Sequence, residues 1–283
     1  MSWWQALVLG VVQGLTEFFP ISSSGHLELV PWLFGLEDFA SVSVGTAFDA
    51  SLHLGTLVAV VVAVRAELSR LVVAGLRRPF QSRDALADVS QHDSQYGRLA
   101  WLYLLTAVPA GLVGAAFDSV IAERLGGPVI VAVSLVWFGM LLWWADRRAG
   151  SRTADDFTVR DAWLVGAAQV VALNPGTSRS GISISALRML GYDRAAAVQM
   201  SFVIGVPIIA GAGVVKVGSL VAGCLPEGMR TAMLVGVSAA AVTGWFAITA
   251  LTRLAARSNF TAFVAYRVVL GLVVLNLALT GLR

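Results

Sequence analysis

The sequence predicts an all-α polytopic membrane protein: six transmembrane helices plus two re-entrant helical hairpins in an inverted repeat. Three observations carry this. Of the 283 residues, 57% are hydrophobic and 13% charged, against about 25% charged in a soluble domain. The mean hydropathy is +0.78, with apolar runs recurring along the chain. The pattern of those runs restarts about 150 residues in, so that 1–150 reads as a first repeat and 151–283 as a second within one integral membrane domain, 1–283.

Taken in order, residues 3–19 and 21–35 are apolar pieces separated by Pro20 and the serines that follow it. Each is short for a spanning helix, which needs about 20 residues. Two short apolar pieces around a polar break read as a re-entrant hairpin, tolerated at membrane depth only where it is buried in protein or lines a cavity. Residues 48–65 form a span, and 66–98 a polar loop containing Arg70, Arg77, Arg78, Arg83, Asp84, Asp88 and Asp93. Two further spans, 99–117 and 128–145, are joined by a turn with Gly126, Gly127 and Pro128, and a charged linker runs from Asp146 to Asp161. The pattern then begins again: short pieces 162–173 and 181–191 around Pro175, followed by spans 196–215, 231–252 and 261–280.

The restart is visible in letters too. Gly10–Gln13 (G-V-V-Q) returns as Gly166–Gln169 (G-A-A-Q), Pro20–Gly25 as Pro175–Ser180, and Ser51 and Gly55 as Ser201 and Gly205. Three crossings per half is an odd number, so the second half inserts upside down, the arrangement that puts a site at the repeat interface near the midplane. Most Lys and Arg lie in the 66–98, 146–161 and 253–260 connections, which places those on the cytoplasmic side and both termini, with Cys224, outside. The basic residues sit between apolar runs, so topology and anionic lipid account for them and nucleic acid is excluded as a partner. The lone Cys224 leaves no internal disulfide, and the first basic residue is Arg65, so a signal-peptide n-region is not expected.

The chemistry concentrates at the two breaks. Gln13–His26 (Q-G-L-T-E-F-F-P-I-S-S-S-G-H) packs Glu17, Ser22, Ser23, Ser24, Gly25 and His26 into a very apolar stretch, and Asn174–Gly181 (N-P-G-T-S-R-S-G) repeats the pattern with Gly176, Thr177, Ser178, Arg179 and Ser180. Polar and ionisable groups inside a membrane mark functional sites. A helix starting at Ser22 or Ser23 has a favoured N-cap, unpaired backbone N–H groups and a positive dipole end facing the cavity. A helix starting near Ser178 does the same from the other side, so two N-termini make an anion site, and Arg179 adds a planar donor fork suited to phosphate. His26 lies three residues after Ser23 and shares its face. Imidazole serves as nucleophile, base or acid in phosphoryl transfer. Glu17, one turn from Gln13, orients His26, acts as a base or binds a divalent ion that bridges phosphate oxygens.

Plainer readings compete. A serine run at a helix start is ordinary capping, Glu17 and Arg179 neutralise each other, and His26 is a hydrogen-bonded core histidine. His53 and Asp49 read as structural or supporting residues, and Trp3, Trp4, Trp143 and Trp144 as interfacial anchors. The functional case rests on one acid, one base, hydroxyls and one arginine occurring together at two related breaks.

These stretches resemble the signature regions of the bacterial undecaprenyl-diphosphate phosphatase family, the bacitracin-resistance type. Gln13, Glu17, Ser22, Ser23, Ser24, Gly25 and His26 match its first motif, with glutamine at the leading position, and Pro175–Gly181 match P-G-x-S-R-S-G in full. The similarity runs through essentially the whole chain, including F-D-A-S-L-H-L-G-T-L at 48–57. It implies removal of the terminal phosphate of undecaprenyl diphosphate, a multi-pass bacterial inner-membrane location, a site opening to the periplasm, and stimulation by a divalent cation (Mg or Ca). Carried over, Arg179 holds phosphate, Glu17 is base or metal contact, and Ser23 with His26 carries out the displacement. The flanking Gln13, Ser22, Ser24, Gly25, Gly176, Thr177, Ser178 and Ser180 bind substrate. Which of Ser23 and His26 attacks stays open, with His26 favoured because it needs no separate activation. The expected partners are a polyisoprenyl diphosphate lipid and the bilayer, and a homo-oligomer is left open. The competing class is a transporter or lipid flippase, for which inverted repeats alone suffice but His26 beside Ser23 does not matter. A membrane scaffold leaves Glu17 and Arg179 unexplained.

Overall fold

The structure, a computed structural model, describes residues 2–36, 42–78, 91–221 and 229–282. Its described residues form helices α1 (Trp3–Phe18), α2 (Ser23–Phe34), α3 (Val42–Ala63), α4 (Arg65–Arg77), α5 (Gln91–Arg124), α6 (Pro128–Asp146), α7 (Val159–Val171), α8 (Arg179–Met189), α9 (Arg194–Val221), α10 (Met229–Ala255) and α11 (Thr261–Leu279). Among them there is no β-strand, only an isolated bridge between Arg152 and Tyr192. Five helices, in α5, α6, α9, α10 and α11, contain stretches long and apolar enough to cross a bilayer, and the apolar Phe48–Ala63 of α3 is shorter. The protein is therefore an all-helical polytopic membrane protein.

Local sequence explains the helix ends. Ser2 and Gln5 close a capping box on α1, and Thr158 and Asp161 close one on α7. Gly35, at φ 58°, ends α2 in the left-handed conformation that favours glycine. At both predicted breaks a serine is the N-cap: Ser22 for α2 and Ser178 for α8, each with its hydroxyl accepting from the N–H of the glycine three residues on.

Small residues let the helices approach. α1 lies along α10, with Gly10 and Gly14 against a face bearing Gly236, Ala240 and Gly244, the four-residue spacing of small residues that suits apolar helix pairs. A Cβ on Gly14 would sit 2.0 Å from Thr243 Oγ1 and 2.6 Å from the Ala240 carbonyl. Likewise α7 packs on α5 through Gly166, beside the Thr106 carbonyl and Pro109, and α6 on α11 through Gly139 and Gly271. The main core runs from Phe18 through Leu142, Ile184 and Phe202 to Phe260.

Polar contacts gather several helix ends at one end of the bundle. The Asp146 carboxylate accepts from Arg194 Nε (2.7 Å) and the Phe260 N–H (3.1 Å). Arg152 and the Tyr192 hydroxyl donate to Asp161 at 2.6 and 2.9 Å. Gln199 of α9 donates to Glu67 of α4 at 2.6 Å. The expected polar loop 66–98 needs correction: its first part is helix α4. Leu71 and Gly75 are buried, Gly75 facing α5, while Arg70 and Arg77 mark a polar side, so charge count alone hid an amphipathic helix. The remainder up to residue 90, and Cys224, lie outside the described residues.

Candidate functional site

α1 ends where Pro20, which lacks an N–H, stops it, and α2 begins after Ser22; α7 and α8 are separated the same way around Pro175. The two breaks share an unusual backbone: Ser22 (φ 77°, ψ 98°) and Ser178 (φ 76°, ψ 113°) are the only described non-glycine residues at positive φ. Such conformations cost about 1–3 kcal/mol and persist where the surroundings enforce them, commonly at functional sites. They turn each chain so that the first helical residue, Ser23 or Arg179, leads a helix N-terminus. The Ser23, Ser24, Arg179 and Ser180 N–H groups donate to no described backbone carbonyl.

The breaks touch. Ser180 Oγ donates to the Phe19 carbonyl at 3.2 Å, and a Cβ on Gly25 would lie 3.2 Å from Gly176 Cα. Between them sits Glu17, 6% exposed. Its Oε2 accepts from Ser23 Oγ at 2.6 Å and from Gln13 Nε2 at 3.2 Å, and its Oε1 from Arg179 Nη2 at 3.0 Å. His53 Nε2 of α3 is 3.7 Å from Oε2, with Nδ1 donating to the Asp49 carbonyl at 2.8 Å. Arg179 reaches this position from α8 by lying over Gly205 of α9, where a Cβ would be 2.0 Å from Nη1, and by donating to the Ser201 carbonyl at 3.3 Å. Its Nε, the buried Ser201 hydroxyl and Gln13 Oε1 have no partner among the described residues, leaving donors and acceptors in reserve beside the pair.

The structure thus brings Gln13, Glu17, Ser23 and Arg179 into one contact network. His26 stands apart from it. Its Nδ1 is 2.7 Å from the Ser22 carbonyl and its Nε2 2.7 Å from the Tyr266 hydroxyl, with the rings stacked at 5.6 Å. A carbonyl only accepts, so Nδ1 carries the hydrogen and, in the neutral ring, Nε2 accepts from Tyr266. Neither nitrogen bonds Ser23 or Glu17: of the roles open to Glu17, orienting His26 has no contact behind it, and the group bonded to Ser23 is Glu17 itself. Ser22 and Ser178 cap, their hydroxyls also touching Ser24 (3.4 Å) and Ser180 (3.1 Å); Ser24 is exposed. Thr177 is fully buried, its hydroxyl accepting from Asn174 at 3.2 Å.

One residue escaped the sequence reading. Arg267, seven residues into α11, is 0% exposed. Its guanidinium donates to the carbonyls of Pro20 (2.9 Å), Gly176 (2.9 Å), Thr177 (3.1 Å), Leu135 (3.0 Å) and Ser134 (3.4 Å). A charge within an apolar span was the available signal, hidden because it belongs to neither motif.

As to a metal, no three His, Cys, Asp or Glu side chains among the described residues form a ligand cluster. Both Glu17 oxygens already accept hydrogen bonds from protein donors. Glu17, the predicted metal contact, thus has its oxygens committed to Ser23, Gln13 and Arg179.

Two capped helix starts meeting at a buried carboxylate–guanidinium pair, inside an apolar bundle, define an integral membrane protein with a site suited to an anion. The chain belongs to the family of Bacitracin resistance protein BacA, whose model matches residues 6–273. It is 41% identical over 276 residues to the undecaprenyl-diphosphatase of Gemmatimonas aurantiaca, covering 97% of each chain. It is 40% identical over 280 residues to that of Desulforudis audaxviator, covering 99% of each. With the protein of the same name from Thermomicrobium roseum it shares 41% over 286 residues, 97% of this chain and 98% of the relative.

Proposed function

We propose that this protein removes the terminal phosphate from undecaprenyl diphosphate, giving undecaprenyl phosphate and inorganic phosphate and so returning the lipid carrier to cell-wall synthesis. Family membership and relatives named for this reaction support the substrate. The observation that carries the chemistry is the Ser23–Glu17–Arg179 line of contacts, which joins the two breaks. Ser23 Oγ attacks the terminal phosphorus while its proton passes to Glu17 Oε2, 2.6 Å away. The phosphoanhydride P–O bond breaks and undecaprenyl phosphate leaves. Glu17 passes that proton to the departing undecaprenyl phosphate and then deprotonates a water that attacks the phosphoserine; the Ser23 Oγ–P bond breaks, inorganic phosphate leaves and Ser23 Oγ takes back the proton. Arg179 and the helix N-termini stabilise the charge on the phosphoryl oxygens. The geometry favours Ser23 over the sequence-based preference for His26, because a hydroxyl already bonded to a carboxylate is an activated nucleophile whereas both His26 nitrogens are engaged.

The proposal extends to architecture. The exchanged pairing of α1 with α10 and α7 with α5, and the matched Ser22 and Ser178 backbones, support two inverted repeats with re-entrant hairpins α1–α2 and α7–α8 around six spans. The arginine-rich end then faces the cytoplasm of the bacterial inner membrane, and the site opens to the periplasm. The divalent cation implied by the resemblance arrives, in this reading, on the diphosphate itself. Purified protein in detergent should release phosphate from undecaprenyl diphosphate with no gradient across a membrane; a pure flippase would release none. Chelator should depress that activity while leaving the melting temperature of the substrate-free protein unchanged.

A further inference from the structure

Arg267 is a fully buried cation whose hydrogen bonds all end on carbonyl oxygens; no described carboxylate lies within ion-pair distance. Burying a charge without a counter-ion is costly, and here five backbone dipoles take the place of the missing acid. The identity of those carbonyls is informative. Pro20 belongs to the first break, immediately before Ile21 and the Ser22 cap; Gly176 and Thr177 belong to the second, immediately before the Ser178 cap; Ser134 and Leu135 belong to α6, which holds the guanidinium from behind. A planar fork with five N–H donors can satisfy such a fan, and a lysine ammonium with three cannot.

We infer that Arg267 is a positioning residue that holds the two chain breaks in one register, so that Ser23 from the first and Arg179 from the second meet the same phosphate. This rests on the phosphatase reading above. Neither Ser23 nor Arg179 touches Arg267; the coupling runs through the backbone of the two breaks. Arg267 reaches Pro20 O two residues before Ser22, and Thr177 O one residue before Ser178, the two positive-φ positions that aim α2 and α8. A shift in either carbonyl re-aims the helix start that follows it, and misplacement by about 1 Å costs a reaction on the order of a hundredfold. Room for the side chain is made by glycine: a Cβ on Gly139 of α6 would stand 3.3 Å from Arg267 Cβ and 3.4 Å from its Nε.

The test compares wild type, Arg267→Lys and Gly139→Ala in detergent, each assayed with undecaprenyl diphosphate at least 15 °C below its own melting temperature. Wild-type phosphate release is the control on the phosphatase reading: its absence sinks that reading, whatever the variants do. Given active wild type, Arg267→Lys should lower kcat at least tenfold with KM changed less than threefold, since the charge stays but the fan does not. Gly139→Ala, which displaces the guanidinium while removing no polar group, should lower kcat three- to tenfold in the same pattern. It also carries the test if Arg267→Lys does not fold. A merely structural arginine would lower melting temperatures and leave the kcat of the folded enzyme alone. Unchanged kcat in Gly139→Ala, or in a folded Arg267→Lys, overturns the inference, as does a change confined to KM.

Discussion

Glu17 binds three side chains that do different work, and substitution separates them. Ser23 donates to it at 2.6 Å, so in the proposed mechanism nucleophile and base form a unit. Ser23→Ala and Glu17→Gln should each reduce turnover by about a thousandfold or more, and the double variant should be little worse than either, as for groups acting together. His26→Ala removes the hydrogen bond to the Ser22 carbonyl and the stack on Tyr266 and should cost roughly tenfold, the scale of one net hydrogen bond. Trapping phosphoenzyme with labelled substrate gives the chemical check: an acid-stable adduct on Ser23 is expected, and an acid-labile one on His26 would reverse the assignment. Arg179→Lys keeps the charge but not the planar fork that spans Glu17 and the Ser201 carbonyl. It should lower kcat/KM by about ten- to a hundredfold, whereas near-normal activity would reduce Arg179 to a counter-ion for Glu17. Most of this residue-scale picture was legible in the sequence, because Gln13, Glu17, Ser23 and Arg179 stand out against apolar neighbours. The pairing was not. Spacing along a helix put His26 beside Ser23, but the i, i+3 relation fixes a face and not a side-chain direction, and Tyr266, 240 residues away, draws the imidazole off.

At the scale of elements, the breaks in α1–α2 and α7–α8 were readable from proline and serine, whose backbone consequences are local. The α4 helix was not, since its apolar residues alternate with charge and register as a loop to any count of composition. The helix contacts that hold the site are set by glycines whose partners lie far off in sequence. Gly14 is one turn before Glu17 on α1 and meets Thr243 and the backbone of Ala240 on α10. Gly14→Leu should push α1 off α10, moving Glu17 with it. Overpacking of this kind typically costs about 1–3 kcal/mol, and against unyielding backbone atoms the upper end applies. Thermal unfolding followed by tryptophan fluorescence should show a lowered midpoint together with lost activity, and a Gly14→Leu protein as stable as wild type would mean that the α1–α10 contact is looser than described.

For the whole molecule, the three crossings proposed for each half predict which helix ends share a side of the membrane. Contacts already collect the α3–α4 junction, the 146–161 segment and the α10–α11 turn at one end of the bundle. That end carries exposed Arg147, Arg148 and Arg257, the bias expected of a cytoplasmic face. The opposite end includes the Gly127 N–H donating to Glu28 of α2, and Thr280 after α11. In a Cys224→Ser background, Ser69→Cys on α4 and Ser258→Cys between α10 and α11, both exposed, should react with a membrane-impermeant thiol reagent only in inverted vesicles. Thr280→Cys, also exposed, should react only in intact cells with a permeabilised outer layer. The pattern has a direct bearing on mechanism. With Thr280 outside and Ser258 inside, α11 crosses once and carries Arg267 and Tyr266 to membrane depth, where the breaks of both halves meet them. Labelling of Ser258→Cys and Thr280→Cys from one side would mean that α11 does not cross, and the inverted repeat would fall with it. Full reversal of the sides would keep the repeat but open the site to the cytoplasm, and the diphosphate would then have to be dephosphorylated before it left that leaflet.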